Sequence, residues 1–374
     1  MARNEKRKIR VPLRKNRQKA SKDRALRPDQ FDLEEGIEVD SADQRISGKG
    51  QLTRYRTIIS SDESATSPLR DVDRAGCLAG RVLSPRGGGC RVQAEDGAIY
   101  DCAVRRLLKN LASADRTIVA AGDRVLFQVV GEGQGVIERI EPRHGILTRK
   151  TRNRKHVLVA NVDQVLIVAS AADPQLKPSL IDRYLISAEL GAIRPIVCIN
   201  KADLVDLVEL QPIVGTYAQL GYEVVTTSIR TGIGLARLRY LLGGKETALA
   251  GQSGVGKSSL INALEPSLQL ATHEVASESR KGQHTTTSAN LLQLSFGGWV
   301  VDTPGIRQME LWDVVPGDVG GYFHEFQPFV RDCRFPGCSH IHEARCGVKQ
   351  AVRSGLVSLL RYESYCRIRE GDAD

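Results

Sequence analysis

Nowhere in the 374 residues does an apolar run approach the roughly 18 residues that a membrane span needs. The N-terminus is basic but carries no apolar stretch behind its charges, so it does not read as a secretory signal. The expected location is the cytoplasm, with no membrane partner. No internal repeat recurs, which argues against a solenoid or propeller. Cysteine is sparse. Cys77, Cys90, Cys102, Cys198 and Cys366 stand apart among apolar or mixed neighbours, as isolated buried hydrophobes do in a reducing compartment. Residues 1 to about 30 have few acids and few aromatics, too little apolar material to order themselves.

What is present points elsewhere. Hydrophobic residues make up 41% of the chain, enough for two or three domains with real cores. The formal net charge is +9 and the pI about 9.2, which favours a polyanionic partner, nucleic acid first; simple solubility is the plainer reading. Residues 1–71 read as a disordered basic tail followed by a linker. Residues 72–150 carry about five short alternating strands with glycine turns, including the Asp96-Gly97 hairpin signal. A small barrel suits them, with the OB-fold leading. Over 151–312 apolar strands alternate with helical stretches at Ser179 to Leu190, Val208 to Leu220 and Gly234 to Leu242, which implies a mostly parallel α/β sheet. Residues 313–374 form a small Cys/His-bearing region with a helical end, Val348 to Arg369.

Gly251-Gln252-Ser253-Gly254-Val255-Gly256-Lys257-Ser258 fits G-x-x-x-x-G-K-[ST] between an apolar strand and a helix that continues with Ser259. Glycines let backbone N–H groups close around phosphates, and the helix N-terminus adds positive potential. Lys257 would reach the β/γ-phosphates and Ser258 would ligate Mg²⁺. Asp302-Thr303-Pro304-Gly305 ends another apolar strand; Asp302 would hold Mg²⁺ through water and the Gly305 N–H would sense the γ-phosphate. Between them, Gly282-Gln283-His284-Thr285-Thr286-Thr287 stands where a first switch belongs. Three successive threonines leave the Mg²⁺ ligand open, and a polar surface loop is the bland alternative.

Asn200-Lys201-Ala202-Asp203 follows a strand, as N-K-x-D does in GTPases. The Asp203 carboxylate can accept from guanine N1–H and the 2-amino group, which adenine does not offer. Asn200 would hold the loop and the N7 edge, and the Lys201 stem would cover the ring. Thr227-Ser228-Ile229 would bring a backbone N–H to guanine O6. The base motifs precede the phosphate loop, the reverse of the ordinary order, so the chain reads as circularly permuted. The segment after Gly305 then leads directly into the C-terminal region, through which switch movement would pass. Ile306 cannot orient a water, and His284 is the best local candidate for that task; a surface histidine is the plainer reading.

Cys333-x4-Cys338-x-His340-x5-Cys346 supplies three thiolates and an imidazole, a closed tetrahedral set for structural Zn²⁺. His342 competes with His340 by sequence alone.

Together these residues, with Ala160-Asn161-Val162-Asp163-Gln164 and Arg361-Tyr362-Glu363-Ser364-Tyr365, resemble the ribosome small-subunit-dependent GTPase A (RsgA) family over roughly residues 72–370. The resemblance implies an α/β P-loop GTPase core, circularly permuted, behind an N-terminal all-β OB-fold barrel and ahead of a small, mainly helical zinc-binding domain. It implies GTP hydrolysis stimulated by the small ribosomal subunit, binding of rRNA, late 30S maturation and a monomer. His284 becomes the catalytic residue and His340 the zinc ligand, with one Zn²⁺ per subunit. The GTP contacts it implies are Asn200, Lys201, Ala202, Asp203, Ser228, Gly251 through Ser259 (Gly251, Gln252, Ser253, Gly254, Val255, Gly256, Lys257, Ser258, Ser259), Thr286, Thr287, Asp302 and Gly305. Ala344 stands where that family usually has a proline before the last cysteine, which should matter little, and Ile229 replaces the usual alanine but leaves Ser228 in place. The basic start, Arg14-Lys15-Asn16-Arg17, is expected to bind rRNA phosphate. Rival readings are an assembly GTPase for another ribosomal particle, a non-catalytic RNA-binding scaffold, and a P-loop kinase or ATPase.

Overall fold

The computed structural model describes residues 7–12, 46–47, 51–52, 55–60, 76–86, 88–105, 108, 118–151, 154–270, 289–302 and 316–371. The segment expected to be disordered contributes strands: β1 (Arg7–Pro12), β2 (Ile46–Ser47), β3 (Gln51–Leu52) and β4 (Tyr55–Ser60). β1 pairs antiparallel with β4, setting Ile9 opposite Ile58. The alternation Lys8, Ile9, Arg10, Val11 is a strand pattern that the segment's high charge concealed.

β5 (Leu78–Arg86), β6 (Gly89–Ala94), β7 (Ile99–Val104), β8 (Arg124–Gly131) and β9 (Gln134–Ile140) close into a barrel in the order β5-β6-β7-β9-β8. β7 and β9 run parallel, and β5 closes on β8 antiparallel. This is the five-stranded OB-fold topology. Alternate residues point inward, so Val82, Cys90, Val92, Cys102, Val125, Phe127 and Ile137 fill the interior. A hairpin that the sequence does not announce, β10 (Leu147–Thr151) with β11 (Arg154–Val159), follows the barrel.

The next elements are β12 (Gln164–Ser170), α1 (Pro178–Leu190), β13 (Arg194–Asn200), α2 (Leu207–Gln219), β14 (Glu223–Thr226), α3 (Leu235–Leu242), β15 (Glu246–Ala250), α4 (Lys257–Leu264), β16 (Asn290–Gln293) and β17 (Trp299–Asp302). They build one six-stranded sheet in the order β14-β13-β12-β15-β17-β16, parallel except for β16. β12 reads Val165-Leu166-Ile167-Val168 because both its faces are covered. Val165 and Ile167 pack with α1 and α2. Leu166 and Val168 pack with α3 and α4.

The C-terminal region holds two 3₁₀ segments (Pro316–Tyr322 and His324–Phe326), α5 (Gln327–Val330), α6 (Gly347–Arg353) and α7 (Leu359–Glu370). The single helical end expected from Val348 to Arg369 is two helices. Gly355 adopts φ 71° and ends the first, as a left-handed residue past a helix C-terminus does. Arg361 of α7 is fully buried; it pairs with Glu325 (Nε–Oε1 2.7 Å) and with Asp182 of α1. Its guanidinium also lies 4.2 Å from the Phe323 ring centroid. Tyr217 of α2 donates to the same Asp182 carboxylate at 2.9 Å. The C-terminal region is thus keyed onto two helices of the sheet domain.

Candidate nucleotide site and metal centre

The loops after β13, β14 and β15 meet at the carboxyl ends of parallel strands, where α/β sheets take their ligands. β15 runs into Gly251, and the turn delivers the chain to α4 at Lys257. Gly251 and Gly256 adopt φ 133° and 93°. A Cβ at Gly251 would lie 2.1 Å from the Val168 carbonyl oxygen, and one at Gly256 would lie 2.6 Å from Asn200 Nδ2. Only glycine lets the loop lie this close to β12 and to the base loop. The Lys257 ammonium donates to the carbonyls of Gly251 (2.6 Å) and Gln252 (2.7 Å), so it stays over the loop. Ser258 and Ser259 lie in the first turn of α4, at the positive end of the helix dipole.

Asn200 ends β13 and spans two motifs. Its Nδ2 donates to Val255 O at 2.9 Å, and its Oδ1 accepts from Thr227 Oγ1 at 3.0 Å. Lys201 takes a left-handed conformation at φ 59°, and its ammonium donates to Asp173 O. Ala202 and Asp203 form the following 3₁₀ turn. Ser228 Oγ donates to Asp203 Oδ1 at 2.6 Å. That hydrogen bond, with Arg230 and Lys201 adding to it, holds the Asp203 carboxyl below the usual carboxylate range. It is ionised at neutral pH and able to accept two donors from a base. The Ser228 backbone N–H already donates to Ile233 O at 3.0 Å, so Ser228 acts on the carboxylate rather than offering its own amide to the base.

β17 lies beside β15 and ends at Asp302. The Asp302 side chain, Gly305, Ile306, His284 and the threonines Thr285, Thr286 and Thr287 lie outside the described residues. The sheet order explains the inverted motif order. β15, with the phosphate loop, sits between β12 and β17, so base strands and phosphate strands meet in space although the chain supplies the base strands first.

In the C-terminal region the ligand atoms of Cys333, Cys338, His340 and Cys346 all lie within 4.8 Å of one another. Cys333 Sγ lies 3.8 Å from Cys346 Sγ, and His340 Nδ1 lies 3.3 Å from Cys346 Sγ. Thiolates about 2.3 Å from a tetrahedral zinc sit about 3.8 Å apart, so these side chains fit one metal ion. His342 is exposed and stands outside the group. Burial pushes the Cys338 thiol up to about 12 and raises Cys346 as well, and burial lowers His340. Such thiols ionise only when a cation replaces their protons. Tyr362 donates to His340 O and Tyr365 to Ser339 O, each at 2.7 Å, which holds His340 at φ 62°.

A family model described as RsgA GTPase matches residues 140–312. The small ribosomal subunit biogenesis GTPase RsgA of Christiangramia forsetii is 35% identical over 306 residues, spanning 79% of this chain and 97% of that protein. The chain belongs to the RsgA GTPase family. YjeQ from Thermotoga maritima superposes with a TM-score of 0.65 at 36% identity, covering 79% of this chain and 98% of that one. YloQ, a circularly permuted GTPase, gives 0.61 at 29% identity over 81% and 97%. The permuted order of motifs is therefore shared with a solved relative.

Sequence reasoning named Tyr362 and Tyr365 of this RsgA-family chain in a shared motif without giving them a task, and it missed Asp182. Tyr362 and Tyr365 brace the metal loop, and Asp182 anchors Arg361. Arg361, Tyr365 and Ile368 are buried residues at helical spacing, a signal visible along the chain. Asp182 has none, since its partner lies 179 residues away.

Proposed function

We propose that this chain hydrolyses GTP to GDP and phosphate when engaged with the small ribosomal subunit, and serves in late maturation of that subunit. The observation that carries this is the Asn200–Val255 hydrogen bond. It joins the base loop to the phosphate loop, beside an Asp203 carboxylate kept ionised by Ser228, in one site for a guanine nucleotide.

In this reading Asp203 accepts guanine N1–H and the 2-amino group, while Asn200 and Lys201 frame the ring. Gly251 through Ser259 wrap the phosphates, with Lys257 on the β/γ oxygens. Mg²⁺ is held by Ser258 and through water by Asp302, with a threonine of 285–287 completing its shell. Gly305 senses the γ-phosphate, and His284 orients the attacking water, since Ile306 offers no polar group. Cys333, Cys338, His340 and Cys346 hold one structural Zn²⁺. The barrel and the basic N-terminus meet rRNA phosphate. A monomer acting in the cytoplasm accords with this, and among the described residues no helix is long and apolar enough to cross a membrane.

The test is GTP turnover by the purified protein, alone and with small subunits, in wild type and His284→Ala. Strong stimulation that the variant loses supports both the partner and the histidine. Absence of stimulation by the small subunit would overturn the ribosomal assignment.

A further inference from the structure

The barrel sits on the sheet at the ends of strands opposite the nucleotide. Arg81, on β5, reaches across 165 residues of chain to Glu246, the first residue of β15. Its guanidinium carbon also lies 5.4 Å from the ring centroid of Trp299, the first residue of β17. Glu246 and Trp299 are register partners in the parallel ladder, so one guanidinium grips both strands at the same level. β15 ends at the phosphate loop and β17 ends at Asp302. β15 is short, about 16 Å for its five residues, so its root lies close to the loop it carries.

The grip is electrostatically exposed to change. The Glu246 side chain is 9% exposed, and its Oε2 has no hydrogen-bond partner among the described residues. Arg124 of β8 is a second cation at 3.5 Å, half exposed. Burial raises the Glu246 pKa, and Arg81 is the largest influence opposing it. Beside this contact a groove of about 830 Å³ opens between barrel and sheet, lined in part by Arg81, Arg124 and Trp299 and by the acids Glu95, Asp96 and Glu141. Any group that binds there and draws either arginine away would loosen the hold on Glu246.

We propose that Arg81 is a positioning residue for GTP hydrolysis: it couples what the barrel binds to the phosphate loop and Asp302 through the roots of β15 and β17. This rests on the subunit-stimulated hydrolysis proposed above, and it adds the route by which stimulation arrives. Two discrete states of the Arg81–Glu246–Trp299 contact, gripped and released, are what the coupling requires.

The experiment compares wild type, Arg81→Ala, Arg81→Lys and Glu246→Gln. GTP turnover is measured with and without small subunits, subunit binding by co-sedimentation, and amide exchange over residues 246–258. Arg81→Ala is expected to leave unstimulated turnover and the KM for GTP within about twofold, and to lower stimulated kcat roughly tenfold, a typical coupling size. Arg81→Lys keeps the ion pair but not the flat stacking surface, and recovers part of the loss. Exchange over 246–258 should rise in Arg81→Ala. Full stimulation in Arg81→Ala with unchanged exchange overturns the inference. If wild type itself is not stimulated, the functional reading falls. The exchange measurement then still decides whether Arg81 holds the root of the phosphate loop, and unchanged exchange there sinks the inference alone.

Discussion

In the proposed function, base choice turns on Asp203. Its Oδ1 accepts a hydrogen bond from the Ser228 hydroxyl at 2.6 Å. Asp203→Asn turns one acceptor into a donor, which opposes guanine and suits xanthine. GTP affinity is expected to fall roughly a hundredfold, the size of leaving a hydrogen-bonding group unsatisfied, with a gain for xanthosine triphosphate; isothermal titration with both nucleotides checks it. Glu265, just past α4, makes a pH prediction. The Ser267 hydroxyl and the Ser295 amide hold its pKa at about 2, against an ordinary value of 4.5. A depressed carboxylate contributes stability that is complete above its unfolded value and lost as pH falls through the folded one. The contribution should therefore fade between about 4.5 and about 2. Glu265→Gln should be less stable than wild type at neutral pH, with the difference shrinking across that window in urea titrations.

At the scale of elements, the metal loop and α7 depend on each other. The C-terminal region has a small apolar core, Val319, Phe323, Phe326, Val348, Val357 and Tyr365 among its members, and a metal supplies what area cannot. Removing zinc with a strong chelator should unfold 316–371 ahead of the sheet domain. Near-ultraviolet dichroism of Tyr362 and Tyr365 should report that unfolding first, and simultaneous melting of both regions would contradict it. Arg361 tests the joint to α1. Arg361→Ala leaves Asp182 buried without its cation, which costs about 3–5 kcal/mol, to be read from urea unfolding. Arg361 is legible in sequence as part of a shared motif, but its role is not, because Asp182 and Tyr217 reach it only after the domains pack.

For the whole molecule, charge and motif order matter most. The net +9 and the basic first 30 residues motivate the proposed contact with rRNA phosphate, which would weaken with salt. Truncating residues 1–30 should flatten the slope of log affinity against log salt by roughly 0.7–0.9 for each phosphate that the tail neutralises, measured by co-sedimentation with small subunits. An unchanged slope would exclude the tail from binding. The structure bears on the expected movement of C-terminal residues with the switch as well. The connecting segment 303–315 lies outside the described residues, while α7 is keyed to α1, on the base side of the sheet. Movement would have to shift α1 with it or break a buried ion pair.

The chemistry is written along the chain: a phosphate loop, a guanine carboxylate, a three-cysteine, one-histidine metal set and a permuted order. The motifs are local, a few residues whose spacing already sets their geometry, and their order is read directly from the chain. Packing in three dimensions turned Ser228 toward Asp203, joined Asn200 to Val255 and set Arg81 against Glu246. Those contacts join residues from separate elements or depend on which way a loop turns. They exist only once the strands have taken their places in the sheet and the barrel has seated on it, and no pattern along the chain encodes that.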